Sequence, residues 1–172
     1  MADPIVVVDH DPGWPDRYEA LRRQIVSALA DLRFEIEHVG STAIPGLPAK
    51  PVIDLDVSLA DADDMPAAIA RLAAIGYVHE GDLGVPGREA FATPPGYGKH
   101  DHHLYVCVPG CAAHAEHVAF RDYLLVHPAA AQAYGELKRS LAARHRHDRA
   151  GYTNGKTDFV RRILASASGD RA

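Results

Sequence analysis

Cysteine is scarce in this chain: two in 172 residues, Cys107 and Cys111. A secreted disulfide framework normally carries more, so reduced thiols near a strand end are expected, and neither cysteine has a recognisable catalytic setting. Long apolar runs are missing as well. Nothing approaches the roughly 20 apolar residues that cross a bilayer, and residues 1–9 lack a basic segment leading into an apolar one, so a cytoplasmic protein with no membrane partner is expected. Positive charge is not in excess either: 18 Lys and Arg against 23 Asp and Glu leave a formal net charge of −5. A long polyanion meets little overall attraction, which disfavours extended nucleic acid while leaving room for a local phosphate site. There is no repeat, low-complexity linker or composition shift. One domain over residues 1–172 is therefore expected.

What is present is the balance of a soluble globular protein, with 47% hydrophobic and 24% charged residues. A chain of this length buries enough apolar surface to fold without staples. Periodicity and turn residues predict strands at 5–8, 34–39, 52–59, 77–79, 89–93 and 102–108, and helices at 15–32 and 63–75. Gly76 stands where a helix end needs a left-handed residue. Helices follow at 113–125, 129–144 and 149–166, with the last residues fraying. The fold class is α+β: a mixed sheet with packed helices over about 1–110, and a helical part over about 111–172.

Along residues 52–59 the alternation puts Asp54, Asp56 and Ser58 on one strand face and Ile53, Leu55 and Val57 on the other. Two like charges that close want a counter-ion, and a divalent cation carried by a triphosphate supplies one. Gly40-Ser41 ends the preceding strand. A glycine there lets backbone amides approach phosphate, and the hydroxyl adds a donor. Twelve residues separate Ser41 from Asp54, enough for a loop that returns as the adjacent strand and brings cradle and carboxylates to one sheet end.

Other residues have both a chemical and a bland reading. Lys50, in the loop between cradle and carboxylates, can neutralise a β- or γ-phosphate or stay solvated. His38 and His103 can approach the carboxylate pair as metal ligands or general bases, or merely cap a strand or hydrogen-bond a carboxylate. His100, His102 and His103 make no closed zinc site, because neighbouring strand positions face opposite ways. His114 and His117, one helical turn apart, are explained most simply as exposed helix polarity. The basic run Lys138, Arg139, Arg144, Arg146 and Arg149 reads as a solvated face or as steering for an anion. Tyr152 and Lys156, four apart on one helix face, enclose a base and a phosphate if that helix folds over the site; otherwise Tyr152 is core. Arg88 and Arg121 are similar cases.

The segment His38-Val39-Gly40-Ser41-Thr42-Ala43-Ile44-Pro45-Gly46-Leu47-Pro48-Ala49-Lys50-Pro51-Val52-Ile53-Asp54-Leu55 resembles the signature of the GrpB family, within the nucleotidyltransferase superfamily. The resemblance continues through His102-His103-Leu104-Tyr105-Val106, through Phe120-Arg121-Asp122-Tyr123-Leu124 with His127-Pro128, and through Tyr134 with Lys138 and Tyr152 with Lys156. It implies a nucleotidyltransferase-like fold in which Gly40 and Ser41 contact the phosphates of a nucleoside triphosphate and Asp54 and Asp56 hold magnesium. Lys50, Lys138, Tyr152 and Lys156 complete the nucleotide site in this reading. Many active members of the wider superfamily add a third carboxylate from a neighbouring strand. Here that strand offers His102 and His103, with Asp101 and Glu89 as substitutes. Three functions stay open: metal-dependent nucleotidyl transfer to a small acceptor, a non-catalytic nucleotide-binding module, and a manganese, zinc or iron site built from Asp54, Asp56 and His103.

Overall fold

The computed structural model describes residues 3–97 and 101–169. In chain order the elements are α1 (Trp14–Ala28), β1 (Phe34–Val39), β2 (Ile53–Leu59), α2 (Met65–Ala74), β3 (Val78–Gly81), β4 (Arg88–Ala92), β5 (His102–Cys107), α3 (Ala112–Val126), α4 (Pro128–Arg144), α5 (Arg149–Asn154) and α6 (Thr157–Gly169). The strands form one mixed sheet in the order β1-β2-β5-β4-β3. Only the central pair, β2 with β5, is parallel; β1 with β2, β4 with β5 and β3 with β4 are antiparallel. This is the α+β mixed sheet with a helical C-terminal part that the pattern of alternation predicts.

The two sheet faces differ as the period-2 pattern demands. Ile53, Leu55 and Val57 are fully buried against Trp14, Leu21 and Ile25 of α1 and Leu72 of α2, which makes one face the main core. The register Asp54↔His103 and Asp56↔Tyr105 gathers the polar side chains of β2 and β5 on the opposite face. A second apolar cluster, with Ile44, Leu47, Leu124, Tyr134 and Ile163, ties the proline-rich loop after β1 to α3, α4 and α6. The helical part thereby closes over the polar face.

Two expected elements differ. Residues 5–8 form no strand: Val8 makes a single antiparallel bridge to Ala49, and Ile5 donates to the Arg146 carbonyl. Ile5 and Val7 pack instead on Leu141 and Tyr152, so this β-branched run fills a seam between loop and helices. The expected helix at 149–166 is two helices, α5 and α6, broken after Asn154. Gly155 lies so close to Leu141 that a Cβ would overlap it, and Lys156, in the break, lies over the Tyr152 ring within the field of Asp54. The expected fraying at the C-terminus and His100 fall outside the described residues. No helix among those described is long and apolar enough to cross a membrane.

The loop after β1 is anchored by one buried hydroxyl. Thr42 donates to the Val52 carbonyl at 3.2 Å, which leaves its oxygen to accept from His38 Nε2 at 3.0 Å. His38 stacks on Tyr18 with ring centroids 4.5 Å apart, and burial lowers its pKa to about 4, so it is a neutral structural imidazole and no part of the carboxylate face. Thr42→Val should lower the unfolding free energy by about 1–3 kcal/mol, because it strands both partners. Urea denaturation checks this, and an unchanged midpoint would show that the loop does not depend on Thr42.

Candidate functional site

Val39 is the register partner of Asp54 at the end of β1, and the chain turns immediately after it. Gly40 has φ +73, which L side chains rarely adopt, and a Cβ there would overlap Asp54 Oδ2 and lie 2.9 Å from its Cγ. Glycine is therefore needed twice, for the backbone conformation and for the close approach to the carboxylate. Ser41 opens the 3-10 turn Ser41–Ala43, and its Oγ accepts a 2.7 Å hydrogen bond from Lys138 Nζ of α4. The pairing spans 97 positions of sequence.

Lys138 is 2% exposed. Burial, with repulsion from Lys156, lowers its pKa to about 7 against the opposing pull of Asp54. Lys156 is lowered to about 8, by burial and then by Lys50, and Lys50 is lowered by burial and then by Arg149; Asp54 raises both. The ammonium groups of Lys156 and Lys50 lie 4.5 Å and 5.8 Å from the centroid of the buried Tyr152 ring. Tyr152 thus presents its face to these cations. The sequence-expected nucleotide residues Gly40, Ser41, Lys50, Lys138, Tyr152 and Lys156 accordingly gather around Asp54, and Arg149 joins them by its charge.

The two carboxylates have unlike surroundings. Asp54 has a side chain 28% exposed, and its Oδ1 accepts from His103 Nδ1 at 2.8 Å. Asp56 is fully buried: its Oδ2 accepts from His114 Nδ1 at 3.2 Å and His117 Nδ1 at 2.8 Å, while its Oδ1 has no hydrogen-bond partner. His114 and His117 are therefore not exposed helix polarity. They descend from α3 with Arg121, which pairs with Glu37 and donates to the His38 carbonyl. The pKa of His117 is raised: burial pushes it down, but the hydrogen bond to Asp56 and the charges of Asp56 and Asp54 outweigh that. Spacing alone gave the only sequence signal, three positions on one helix side, and it did not say what lay beneath.

Asp101 and Glu89 do not reach the pair. Asp101 pairs with Arg17 of α1, and Glu89 with His79 at the far edge of the sheet. Glu37, unremarked in the sequence, is the register partner of Asp56, yet it is neutralised by Arg121. His103 stands on β5 opposite Asp54, where the sequence offered an imidazole in place of a third acid. Arg88 lies over the Tyr105 ring, 4.2 Å from its centroid.

Asp54, Asp56 and His103 do not come together as a ready-made cage, and among the described residues no three His, Cys, Asp or Glu side chains do. Magnesium needs no such cage, because it is usually held by one or two carboxylates together with substrate phosphates and water. The residues fit that mode. Asp56 Oδ1 is a buried, unpartnered oxygen on the same sheet face as Asp54, and a shared cation would satisfy it.

A family model described as GrpB protein matches residues 4–166. The chain belongs to the GrpB family. It is 40% identical over 168 residues to the UPF0157 protein PA4798 of Pseudomonas aeruginosa, covering 96% of this chain and 68% of that one. It is 32% identical to the glutamate-rich protein GrpB of Alkalihalophilus pseudofirmus, covering 93% and 94%. A dephospho-CoA kinase of Mycolicibacterium paratuberculosis is 28% identical over 92% of this chain, which spans 44% of that protein. The crystal structure of conserved protein GrpB from Enterococcus faecalis superposes with a TM-score of 0.86 at 29% identity, covering 96% of this chain and 99% of that one. Cid1 in complex with its short product ApU aligns at a TM-score of only 0.45 and 13% identity over 73% of this chain, a likeness that carries no argument.

Gly40→Ala should destabilise this GrpB protein by roughly 1–3 kcal/mol, from the positive φ alone, and push Asp54 off its position. Urea unfolding measures the first effect. Loss of the hydrogen bond to His103 in the ring NMR spectrum measures the second, and an unmoved His103 signal would show that the close approach is incidental.

Proposed function

We propose that this chain is a magnesium-dependent nucleotidyltransferase, moving a nucleotidyl group from a nucleoside triphosphate to a small acceptor. The observation that carries the reading is the contact of a buried lysine, Lys138, with Ser41 at the end of β1, within the field of Asp54. Amines held below their ordinary range by burial and mutual repulsion form a site that takes up protons and relaxes when a polyanion arrives. Ser41, Lys138, Lys156 and Lys50 would bind the phosphates, and Asp54 and Asp56 would hold the magnesium. The metal, when bound, neutralises charge on the attacking and leaving oxygens.

His103 is oriented for proton transfer. With Nδ1 donating to Asp54, its Nε2 is left to accept a proton, as an imidazole steered by a carboxylate does. In the proposed reaction the acceptor oxygen bonds to the α-phosphorus, the bond from that phosphorus to the pyrophosphate oxygen breaks, and the acceptor proton passes to His103 Nε2. Pyrophosphate leaves toward Lys138 and Lys156. An imidazole in place of a third acid is compatible with this division of labour, since the base need not also be a metal ligand.

Pyrophosphate release from magnesium-nucleoside triphosphates across an acceptor panel is the direct assay. His103→Ala should slow it by about 10²–10⁴-fold, the usual worth of a positioned general base. Nucleotide binding in wild type without turnover on any acceptor would replace the enzyme by a nucleotide-binding module.

The lysines add a pH signature. A polyanion selects their protonated forms, so triphosphate affinity should be level below about pH 7 and fall as pH rises past the values of about 7 for Lys138 and about 8 for Lys156. The fall should reach about tenfold per pH unit for each lysine. Calorimetry in buffers of different ionisation enthalpy should show proton uptake on binding near pH 8, and Lys138→Met should lose its share of that uptake. Binding with no change in protonation would remove the lysines from the phosphate site.

A further inference from the structure

The sheet face that carries Asp54 and Asp56 does not end at His103. Beyond it lies an open cleft of about 600 Å³ whose lining includes His103, Tyr105, Ala90, Ala92, Val78 and Leu83. The register explains its floor: Ala90 is opposite Tyr105, and Val78 is opposite Ala92, so all four side chains share the face of the carboxylates. Alanine at both β4 positions keeps that floor low. Among the described residues its charged lining residues, Glu80 and Arg149, are exposed, and Val78, Leu83 and Ala92 make its β3 and β4 side apolar.

Two large apolar side chains stand open in this cleft, Val78 at 60% and Leu83 at 62% exposure. Leu83 is also strained. Its φ of +48 is the single left-handed value at a non-glycine among the described residues, in the turn where Gly84 N donates to Asp82 Oδ1 at 2.8 Å. Asparagine or glycine would occupy that conformation more cheaply and would hide no apolar surface. A leucine in that conformation sets apolar surface at the cleft, where a ligand with an apolar face would cover it.

Topology assigns the cleft its place in the reaction. Gly40 and Ser41 end β1, on one side of β2, and His103 lies on β5, on the other. A displacement at phosphorus needs the attacking and leaving oxygens roughly in line. With the leaving phosphates on the Ser41 and Lys138 side, the attacking oxygen comes from the His103 side, where the cleft opens. The geometry points to this cleft as the acceptor subsite, and to an acceptor with a flat, apolar ring body lying over Ala92 against Val78 and Leu83, its hydroxyl directed at His103 Nε2. This assignment rests on the transferase reading. A polyol would leave the apolar floor bare. The chemistry is the transfer already written, with the ring-borne hydroxyl losing its proton to His103 as its oxygen bonds to the α-phosphorus.

The test uses the whole chain and two sets of probes: adenosine, pyridoxine and benzyl alcohol, against glycerol, ribitol and myo-inositol. Ring alcohols should shift the methyl NMR signals of Val78 and Leu83, and with magnesium-nucleoside triphosphate at least one should support pyrophosphate release. Leu83→Asn, which relieves the strained residue and so should not lower the melting temperature, should weaken ring-alcohol binding at least tenfold. Ala92→Trp, which fills the floor, should do the same, and both variants should keep the wild-type thermal shift with nucleotide. Methyl signals that ignore every ring, or polyols that serve as acceptors while rings do not, would overturn the ring-acceptor assignment. Ring binding at Val78 and Leu83 with no pyrophosphate from any acceptor would overturn the transferase reading beneath it.

Discussion

The polar face of this protein is organised by the negative charge of Asp54. Three buried or half-buried amines, Lys138, Lys156 and Lys50, crowd near one another where burial and mutual repulsion drive protons off, and Asp54 is what pulls each of them back. On the other side it accepts from His103 and fixes which ring nitrogen stays open. Gly40 is obligatory because the chain passes within contact of that carboxylate. Removing the charge would leave a cluster of cations in a poorly solvated seam, which is a costly arrangement without a counter-ion.

Asp56 plays a different part, although it is two residues away on the same strand. It is sealed beneath α3, and two imidazoles from that helix saturate one of its oxygens while the other stays unpartnered. The open carboxylate faces the solvent side and the phosphate-binding groups, and the closed one anchors the helical part to the sheet. Arg121 on Glu37 repeats the device on β1, directly across the register from Asp56. The helical part is thus held to the sheet by charge as well as by the apolar cluster around Leu124 and Tyr134. Its docking is coupled to the geometry of the site.

Sequence reading reached far where the information was local. Period-2 alternation gave β1, β2 and β5, the Gly-Ser turn and the Asp-x-Asp face, because side-chain direction in a strand follows from position alone. It erred at residues 5–8, where β-branched side chains fit a strand but pack on the helical part instead, and at 149–166, where helical propensity does not reveal that Gly155 must pass Leu141.

The sequence by itself determined the α+β class, the family and the nearness of Gly40-Ser41 to Asp54 and Asp56, because alternation and the short loop between two strands are local features. Only the tertiary structure decided that β5 lies parallel beside β2 with His103 opposite Asp54, that Lys138 reaches Ser41 from 97 positions away, and that His114 and His117 close on Asp56. The physical reason is the same in each case. Burial sets the cost of a charge, and burial is a property of which surfaces meet, so the chemistry of a lysine or a histidine is settled by partners that its own segment does not specify.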